Sequence, residues 1–295
     1  MEVLNRAIPV TMLVFVVSSM LGVGLSLTVK QILAPLRNLR LVSLALLTNF
    51  VLMPLAAFAI ARLLRLDEPL GVALLLLGTA AGAPFLPLLA RISKGNLAFA
   101  VGLMVLLMVE TVAYMPLVLP LLLEGVSVDP LKIARSLVVL MLAPLAIGLL
   151  VKARLSGRSR ENAAFVKQVI DSKPCVADCP SFNHQHAECT ELVRDARHSS
   201  ILFITVGCGL GWICGGPGSD TKNVLSLGTA QRNIAASLVV GGQNFNDPRV
   251  VVMVVVVAIV GLLILMCSAR FLAKPSGLVS EAETAASSHG AGRGL

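Results

Sequence analysis

The sequence predicts an all-α polytopic membrane protein, and three observations support that fold class: the composition, a series of long apolar runs, and the charges between those runs. Of the 295 residues, 56% are hydrophobic and only 14% are charged, whereas soluble domains have about 45–50% apolar and about 25% charged residues. A soluble fold of this length could not cover so much apolar surface. Lipid can face that surface directly, and helices satisfy their own backbone hydrogen bonds there.

Eight apolar runs are visible in the chain. Five of them lie in the first half, at 8–28, 41–61, 69–90, 97–123 and 133–151. Three more follow, at 200–213, 224–242 and 250–271. A helix of about 20 apolar residues crosses the roughly 30 Å of hydrocarbon in a bilayer, so each run of the first half is long enough to be a span.

The loops between the runs give the predicted orientation. Basic residues follow the first, third and fifth runs, among them Lys30, Arg91 and Lys152, and basic loops stay on the cytoplasmic side. This predicts an outside N-terminus and a cytoplasmic C-terminus. The net charge of +8 therefore reflects topology. Because no basic patch is interleaved with aromatic residues, no nucleic-acid partner is predicted.

A ninth span is predicted but is not visible. With eight spans, the basic residues Arg270 and Lys274 would lie outside, against the positive-inside pattern. The missing span should fall in the atypical segment 157–199. We therefore expect one transmembrane domain over 1–273, followed by a disordered tail over 274–295 that is rich in Ser, Ala, Gly and Glu.

The segment 157–199 differs in composition from the rest of the chain, and three interpretations are open. It contains Cys175, Cys179, Cys189, His184, His186 and His198. Cys and His are the usual zinc ligands, but this spacing matches no strong zinc motif and no second Cys-x-x-Cys pair follows. A disulfide-bonded loop is the second interpretation, which a reducing cytoplasm disfavours.

The third interpretation is that about 174–199 is translated one base out of frame. Read one base later, Cys codons become Ala or Val codons, and Asp, Asn and His codons become Thr, Ile or Met codons. Codon degeneracy then permits 174–183 to read Leu-Val-Leu-Leu-Ile-Val-Leu-Val-Leu-Thr, an apolar stretch where the topology needs a span. The hypothesis predicts that the coding DNA has no stop codon in that frame.

The two halves of the chain share a short motif. The tetrapeptide Leu-Gly-Thr-Ala occurs at 77–80 and again, 150 residues later, at 227–230. With the ninth span restored, the two motifs lie five spans apart, so their helices cross in opposite directions. This arrangement indicates an inverted-repeat transporter fold, with a first repeat at about 1–124 and a second at about 131–273.

Each motif is followed by a residue that interrupts its apolar run. Pro84 removes a backbone donor, and Arg232 places a charge where a charge is costly. We therefore expect two discontinuous crossing helices, broken near these residues, whose motifs meet near the midplane. The alternative is that the small residues of the motif serve only close helix packing.

Four stretches carry a resemblance to a known family. They are LGVGLSL at 21–27, NFVLMP at 49–54, KGN at 94–96 and GTAQRN at 228–233. In these stretches the chain resembles the bile acid:sodium symporter superfamily, bacterial branch. The resemblance implies two inverted five-helix repeats whose discontinuous helices cross in the middle. It also implies a chain of about nine spans, without the family's first helix, and a location in the bacterial inner (plasma) membrane.

The same resemblance bears on sodium. It implies that a sodium-binding Ser-Asn pair of the family falls at Leu86 and Pro87, an acidic ligand at Gly228, and a glutamine at Arg232, while an amide is kept in kind at Asn49. Sodium needs hard oxygen ligands, which the first three side chains lack, and a fixed guanidinium repels a cation. No cofactor is therefore predicted: sodium is the one candidate ion, and these replacements argue against it.

The predicted substrate and ion site surrounds the two motifs. It consists of Asn49, Thr79, Gly82, Pro84, Thr229, Gln231, Arg232 and Asn233. Arg232 supplies a permanent positive charge for a carboxylate or sulfonate, so the predicted function is secondary transport of a small organic anion. Glu110 is the candidate counter-charge of Arg232 or, alternatively, reaches the interface. Arg232 could instead snorkel to a loop or pair permanently with a carboxylate.

The sequence favours transport over two other function classes, an enzyme and a channel or sensor. A membrane-embedded enzyme needs a nucleophile–base pair or a metal cluster within its spans, and the eight runs contain no histidine, so no catalytic residue and no metal site is predicted. A channel or sensor would be expected to show a ring of like polar groups. The predicted partners are an organic anion and the lipid bilayer, and the sequence predicts no oligomeric state.

Overall fold

The computed structural model describes residues 14, 16–27, 38–123, 129–155, 186–245 and 247–273. We number its helices in chain order. They are α1 (Val16–Ser26), α2 (Leu39–Leu63), α3 (Glu68–Thr79), α4 (Leu86–Ile92), α5 (Leu97–Leu122), α6 (Pro130–Arg154), α7 (His186–Cys214), α8 (Ser219–Ala230), α9 (Ile234–Asn244) and α10 (Pro248–Leu272). The described part of the chain contains no strand, which confirms the all-α fold class.

Four of these helices are each long and apolar enough to cross a bilayer: α2, α5, α6 and α10. Their ends lie within three residues of the runs predicted from the sequence. α1 and α3 are apolar but shorter in the described part of the chain. The chain is therefore a multi-pass membrane protein.

The third predicted run is broken into two half-helices. α3 ends at Thr79 and α4 begins at Leu86, and we call the non-helical residues 80–85 the first break. Pro84 has no N–H with which to continue a helix. Gly82 has a φ of +79°, in the left-handed region that other residues rarely adopt. The break predicted near Pro84 is therefore confirmed.

The seventh predicted run is also broken, but by polar residues. α8 ends at Ala230 and α9 begins at Ile234, and we call residues 231–233 the second break. Asn233 ends the break as the N-cap of α9, because its Oδ1 accepts a hydrogen bond from Ala236 N at 3.1 Å. The interruption predicted near Arg232 is thus also present.

The two broken helices run past each other in opposite directions. The end of α4 lies beside the start of α8, where Asn223 Nδ2 donates to Ser93 O at 3.3 Å, and α9 packs against α3. Between these contacts the two breaks meet, where Asn233 N donates to Ala80 O at 2.9 Å. The predicted meeting of the two motif segments in antiparallel helices is therefore confirmed.

Small residues hold each broken helix close to a neighbouring helix. A Cβ added at Gly78 of α3 would lie 2.7 Å from Ala57 Cβ of α2. Likewise, a Cβ added at Gly211 of α7 would lie 2.7 Å from Ser226 Cα of α8. Because close approach by small residues is how membrane helices commonly pack, these contacts fix the positions of α3 and α8 and hence of both breaks.

α7 begins earlier than the apolar run at 200–213 predicts. It starts at His186, because Ala, Glu, Leu and Arg residues before 200 are good helix formers although most are polar. Its polar residues Arg194 and Asp195 are exposed, whereas Ala196 is buried.

The rest of the atypical segment, and with it Cys175, Cys179 and His184, lies outside the described residues. The zinc, disulfide and out-of-frame interpretations of 174–199 therefore stay predictions. The tail at 274–295 also lies outside the described residues.

Candidate functional site

The middle of α2 presents two main-chain carbonyls to the interior. A single π-helical turn occupies Thr48–Leu52, and Pro54 just after it has no N–H to donate to Asn49 O or Phe50 O. These oxygens accept from side chains of other segments: Arg232 Nη2 of the second break donates to Asn49 O, and Tyr114 Oη of α5 donates to Phe50 O. Single π turns of this kind are frequent at functional positions, and here the turn exposes acceptors beside the two breaks.

Arg232 of the second break is 3% exposed, and its guanidinium donates five hydrogen bonds. Nε donates to Leu77 O at 2.8 Å, and Nη2 donates to Gly78 O at 2.7 Å. Nη1 donates to Asn49 Oδ1 at 2.9 Å and to Thr229 O at 3.1 Å. Nη2 also donates to Asn49 O at 3.5 Å. A guanidinium has five N–H groups, so every one of them has an acceptor.

We call the five acceptors of Arg232 the carbonyl cage; they are the main-chain oxygens of Leu77, Gly78, Thr229 and Asn49, and Asn49 Oδ1. Three of them belong to the last turns of α3 and α8, where helix carbonyls lack N–H partners of their own and carry partial negative charge. One guanidinium therefore compensates two helix ends at once. Such compensation is what allows a charge to persist inside a membrane protein.

Asn49 orients its amide toward Arg232. The side chain is fully buried, and its Nδ2 donates to Ala45 O at 3.0 Å and to Thr229 Oγ1 at 3.3 Å. Because both N–H groups are used in this way, Oδ1 faces the guanidinium as an acceptor. Asn49 thereby ties α2 to the second crossing helix.

Asn233 joins the second break to the first. Its Nδ2 donates to Gly82 O at 3.1 Å, its main-chain N donates to Ala80 O, and its Oδ1 caps α9. The side chain is fully buried, so each of these groups would be costly to leave unpaired. Asn233 therefore fixes the separation of the two breaks.

Two residues of α5 that the sequence did not predict complete the site. Thr111 Oγ1 donates to Ala81 O at 3.1 Å and accepts from Ala81 N at 3.0 Å, which satisfies the first break. Tyr114, one turn later, packs its ring 4.8 Å from the ring of Phe50. A hydroxyl in an apolar run usually bonds within its own helix, so neither residue attracts notice alone. Their spacing of three, which places both on one helix face, is the signal that could have identified them.

The other predicted residues take different positions. Thr79 is buried, and its Oγ1 donates to Leu75 O and Leu76 O within its own helix, at 2.9 and 3.0 Å. Pro84 lies half-buried in the first break. Gln231 is 8% exposed, and its Oε1 is buried without a hydrogen-bond partner. The structure thus brings Asn49, Gly82, Thr229, Arg232 and Asn233 together and leaves the Gln231 acceptor free.

Glu110 is the predicted residue that lies apart from the site. It is exposed on α5, and it is not among the five acceptors of Arg232. Successive helix residues point about 100° apart, so Thr111 faces the first break while Glu110 faces away. The predicted ion pair of Glu110 with Arg232 is therefore not formed, because residue counting along the helix gives a depth but no direction.

Leucine side chains fill the space beside Gly228. A Cβ added at Gly228 would lie 2.9 Å from Leu86 Cδ2 and 3.7 Å from Leu103 Cδ2, and both leucines are buried. These hydrocarbon side chains contain no oxygen that could bind an ion. The place where the family resemblance implies an acidic ligand is therefore packed with methyl groups.

A model of the family described as "Sodium Bile acid symporter family" matches residues 11–171, more than half of the chain. This range contains α1 to α6 and the first break, and the match ends just before the segment 174–199.

Three plant proteins are similar to part of the chain. A rice protein (Oryza sativa subsp. japonica) named "Probable sodium/metabolite cotransporter BASS2, chloroplastic" is 32% identical over 132 residues, 44% of this chain and 32% of its own length. "Probable sodium/metabolite cotransporter BASS1, chloroplastic" of rice is 28% identical over 50% of this chain and 37% of its own length. The protein of the same name from Arabidopsis thaliana is 28% identical over 44% and 33%.

These matches span about a third of the length of the plant relatives. The bacterial branch predicted from the sequence stays a prediction, because all three relatives are plant proteins. The family itself follows from the model that matches more than half of the chain. This chain belongs to the sodium bile acid symporter family.

Proposed function

We propose that this protein is a secondary transporter that carries a small organic anion across a membrane. The observation that supports this function is the meeting of two discontinuous helices around a buried guanidinium. In inverted-repeat transporters the substrate site lies where such helices meet, because unwound backbone is tolerated there when it lines a cavity. The plant relatives, which are named as sodium/metabolite cotransporters, support transport of a metabolite.

The charge at the breaks favours an anionic substrate. No carboxylate of the described residues accepts a hydrogen bond from Arg232, whose acceptors are all neutral oxygens. α9 begins at Ile234 beside it, and a helix N-terminus adds partial positive charge. An anion that enters between the breaks would balance this charge. Because all five N–H groups of Arg232 are already bonded, the guanidinium would attract the anion through its field.

Neutral groups near the second break provide further recognition. Gln231 Oε1 and Ser237 Oγ are buried without hydrogen-bond partners. A buried polar atom without a partner costs about 1–3 kcal/mol, so a ligand that pairs with these atoms would bind more tightly. We therefore expect the anion to carry a hydroxyl or amide donor in addition to its acidic group.

We further propose that the protein lies in the bacterial inner membrane with its N-terminus outside and its C-terminus in the cytoplasm. The basic loops that follow the first, third and fifth apolar runs support this orientation. Cysteine labelling from either side of intact cells, at single cysteines placed at Lys94 and Asp67, tests it. Labelling of Asp67→Cys from outside and protection of Lys94→Cys support the orientation, and the reverse pattern refutes it.

The test of transport is the flux of labelled organic acids into proteoliposomes that contain the purified protein. We expect accumulation of at least one hydroxylated carboxylate or sulfonate above the level in protein-free vesicles. Neutral and cationic analogues of the same size should not enter. Equal entry of the neutral analogue would contradict an anion site at the breaks.

A second version of the chain, tested in the same assay, shows whether the segment 174–199 affects expression and transport. In it, this segment is replaced by its translation one base later. We expect the replaced version to reach the membrane in larger amounts and to transport at least as fast as the chain as written. Equal expression and equal uptake of the two versions would contradict the out-of-frame hypothesis and leave the transport proposal intact.

A further inference from the structure

We infer that the guanidinium of Arg232 is a built-in cation that permanently fills a binding site suited to a soluble monovalent cation. The corollary is that the protein moves its substrate without a sodium gradient, and that removing the guanidinium uncovers a sodium site. The corollary about transport rests on the proposed function. The inference about the carbonyl cage does not, because ion binding is measurable on the purified protein.

The carbonyl cage has the ligand chemistry of a cation site. Its five oxygens are four main-chain carbonyls and one amide oxygen, which converge from α2, α3 and α8. Carbonyl and amide oxygens are the ligands that hard cations prefer in proteins, and carbonyl groups that replace a hydration shell are how selectivity filters hold monovalent ions. The cage is thus a set of cation ligands, occupied by a side chain.

Arg232 has no anionic partner in the part of the chain that the structure describes. A buried arginine that serves only structure is usually one member of an ion pair, because a buried charge needs compensation. Among the described residues no carboxylate bonds to Arg232, and Glu110 is exposed on α5. The charge is instead compensated by helix-end dipoles, which is how an ion between half-helices is held.

The space beside the carbonyl cage, around Gly228, offers no second binding site for a soluble cation. Gly228 lies one residue before Thr229 of the cage, and Leu86 Cδ2 lies 2.9 Å from the position of a Cβ added at Gly228. These groups supply no side-chain oxygen. A soluble cation would therefore have to displace Arg232, which is covalently attached and keeps its charge at any physiological pH.

A cation that cannot dissociate changes the energetics of transport. It cannot carry the energy of an ion gradient, so the anion should move down its own electrochemical gradient. The charge of the anion then crosses without a co-transported cation. Uptake should consequently respond to a potassium diffusion potential imposed on the vesicles, and it should not respond to replacement of sodium by choline.

The direct test measures the unfolding temperature of the purified full chain in detergent, with sodium chloride or choline chloride at equal ionic strength. The wild type should unfold at the same temperature in both salts. Arg232→Gln should unfold at a lower temperature in choline, because it leaves cage carbonyls unpaired, and should regain part of the loss in sodium. Arg232→Lys, which keeps the charge on a smaller head, should show no sodium response.

Arg91→Gln is the matched control, since it makes the same substitution at an exposed position of α4. It should behave as the wild type in both salts. A sodium-dependent rise in the wild type or in Arg232→Lys would overturn the inference, and so would a folded Arg232→Gln that ignores sodium. If Arg232→Gln does not fold, the wild type and Arg232→Lys still decide, because a sodium response in either refutes a permanently filled cage.

Uptake in proteoliposomes is the second readout. Wild-type uptake should be equal in sodium and choline, and Arg232→Gln should lose at least about tenfold in choline, the ratio that corresponds to about 1.4 kcal/mol, and recover in sodium. Sodium-dependent uptake by the wild type would refute the inference. If no version of the protein transports any anion, the proposed function fails. The unfolding temperatures alone then decide whether Arg232 permanently fills the carbonyl cage.

Discussion

The first and second breaks lie at the ends of the two Leu-Gly-Thr-Ala motifs, yet they are built from opposite kinds of residue. Gly82 and Arg232 are both five residues beyond the start of a Leu-Gly-Thr-Ala motif. The first break depends on backbone conformation, with a positive φ at Gly82 and no N–H at Pro84. The second break contains three polar side chains and neither Gly nor Pro.

The two crossing helices differ in whether they supply hydrogen-bond acceptors or hydrogen-bond donors. The first crossing helix contributes carbonyls, which Arg232 and Asn233 reach at Leu77, Gly78 and Gly82. The second contributes the side chains that donate to them. The two crossing helices are therefore both interrupted after the same motif, but one supplies the acceptors and the other supplies the donors. This division predicts that Gly82 of the first break cannot be replaced by a residue with a side chain. It also predicts that the second break cannot lose a donor side chain such as that of Asn233.

Gly82→Ala should have the largest effect on the folded state. Its φ of +79° is costly for alanine, by about 1–2 kcal/mol, and the added Cβ would lie 2.8 Å from Met104 O and Leu107 C, main-chain atoms of α5 that cannot move aside easily. Overpacking adds about 1–3 kcal/mol. We expect a loss of stability of about 2–5 kcal/mol, measured as a lower unfolding temperature in detergent, and loss of uptake.

Gly242→Ala is the matched control for that substitution. Gly242 lies in α9 of the other crossing helix, and no atom lies within 4 Å of a Cβ added there. Alanine is a better helix former than glycine by about 1 kcal/mol, so this variant should be as stable as the wild type or more stable. Equal losses in the two variants would show that the first break does not require glycine.

Asn233→Leu should have the next largest effect, because it removes a donor from the second break. The substitution takes away the cap of α9, worth about 1 kcal/mol, and leaves the carbonyl of Gly82 unpaired in the interior, at about 1–3 kcal/mol. We expect a loss of about 2–4 kcal/mol in the stability of the folded protein. Unfolding in detergent, followed by the loss of helical circular dichroism, measures it.

Asn244→Leu is the corresponding control at the other end of α9. Its Nδ2 donates to Val240 O within the same helix at 3.0 Å, and the residue is half-buried. A bond of this kind is replaced easily by water, so the change should be below about 0.5 kcal/mol. If Asn244→Leu destabilised the protein as much as Asn233→Leu, the hydrogen bonds of Asn233 between the two breaks would not be the cause of the lost stability.

Much of this arrangement could be predicted from the sequence. The helices, both breaks and their antiparallel crossing were predictable, because apolar runs, Pro84, the repeated motif and the charge of Arg232 are visible in the chain itself. The family resemblance added the expectation that the broken helices cross. Each of these signals is local, or compares two short stretches, and none needs the direction of a side chain.

The partners of Arg232 could not be predicted in the same way. Its acceptors are mainly main-chain carbonyls, and since every residue has a carbonyl, no residue type marks the few that lack a helical partner. The sequence therefore pointed to a carboxylate, Glu110, and to direct contact with an anion. Pro54 of α2, which has no N–H, is visible in the sequence, but the carbonyls that it leaves free and their direction follow from the π turn, which only the structure shows.

Thr111→Val should have a smaller effect than either break substitution. It removes one hydroxyl that both donates to and accepts from Ala81 in the first break, and valine keeps the shape of the buried side chain. Polar contacts between membrane helices average about 0.6 kcal/mol in measured cycles, so we expect a loss of about 1 kcal/mol. Thr111→Ser, which keeps the hydroxyl, should recover most of it, and an equal loss in both variants would point to packing.

Glu110→Gln should have the smallest effect, and it tests whether the chemistry is confined to the breaks. Thr111 bonds to Ala81, so the neighbouring Glu110 lies at the level of the first break, but its side chain points about 100° away from that of Thr111 around α5 and is exposed. If Glu110 were the partner of Arg232, its neutralisation would leave a buried cation uncompensated, at about 3–5 kcal/mol. The carbonyl cage already compensates that cation, so we expect a change within about 0.5 kcal/mol and wild-type uptake. Loss of uptake in Glu110→Gln, restored by combining Glu110→Arg with Arg232→Glu, would show that the two charges meet in another conformation.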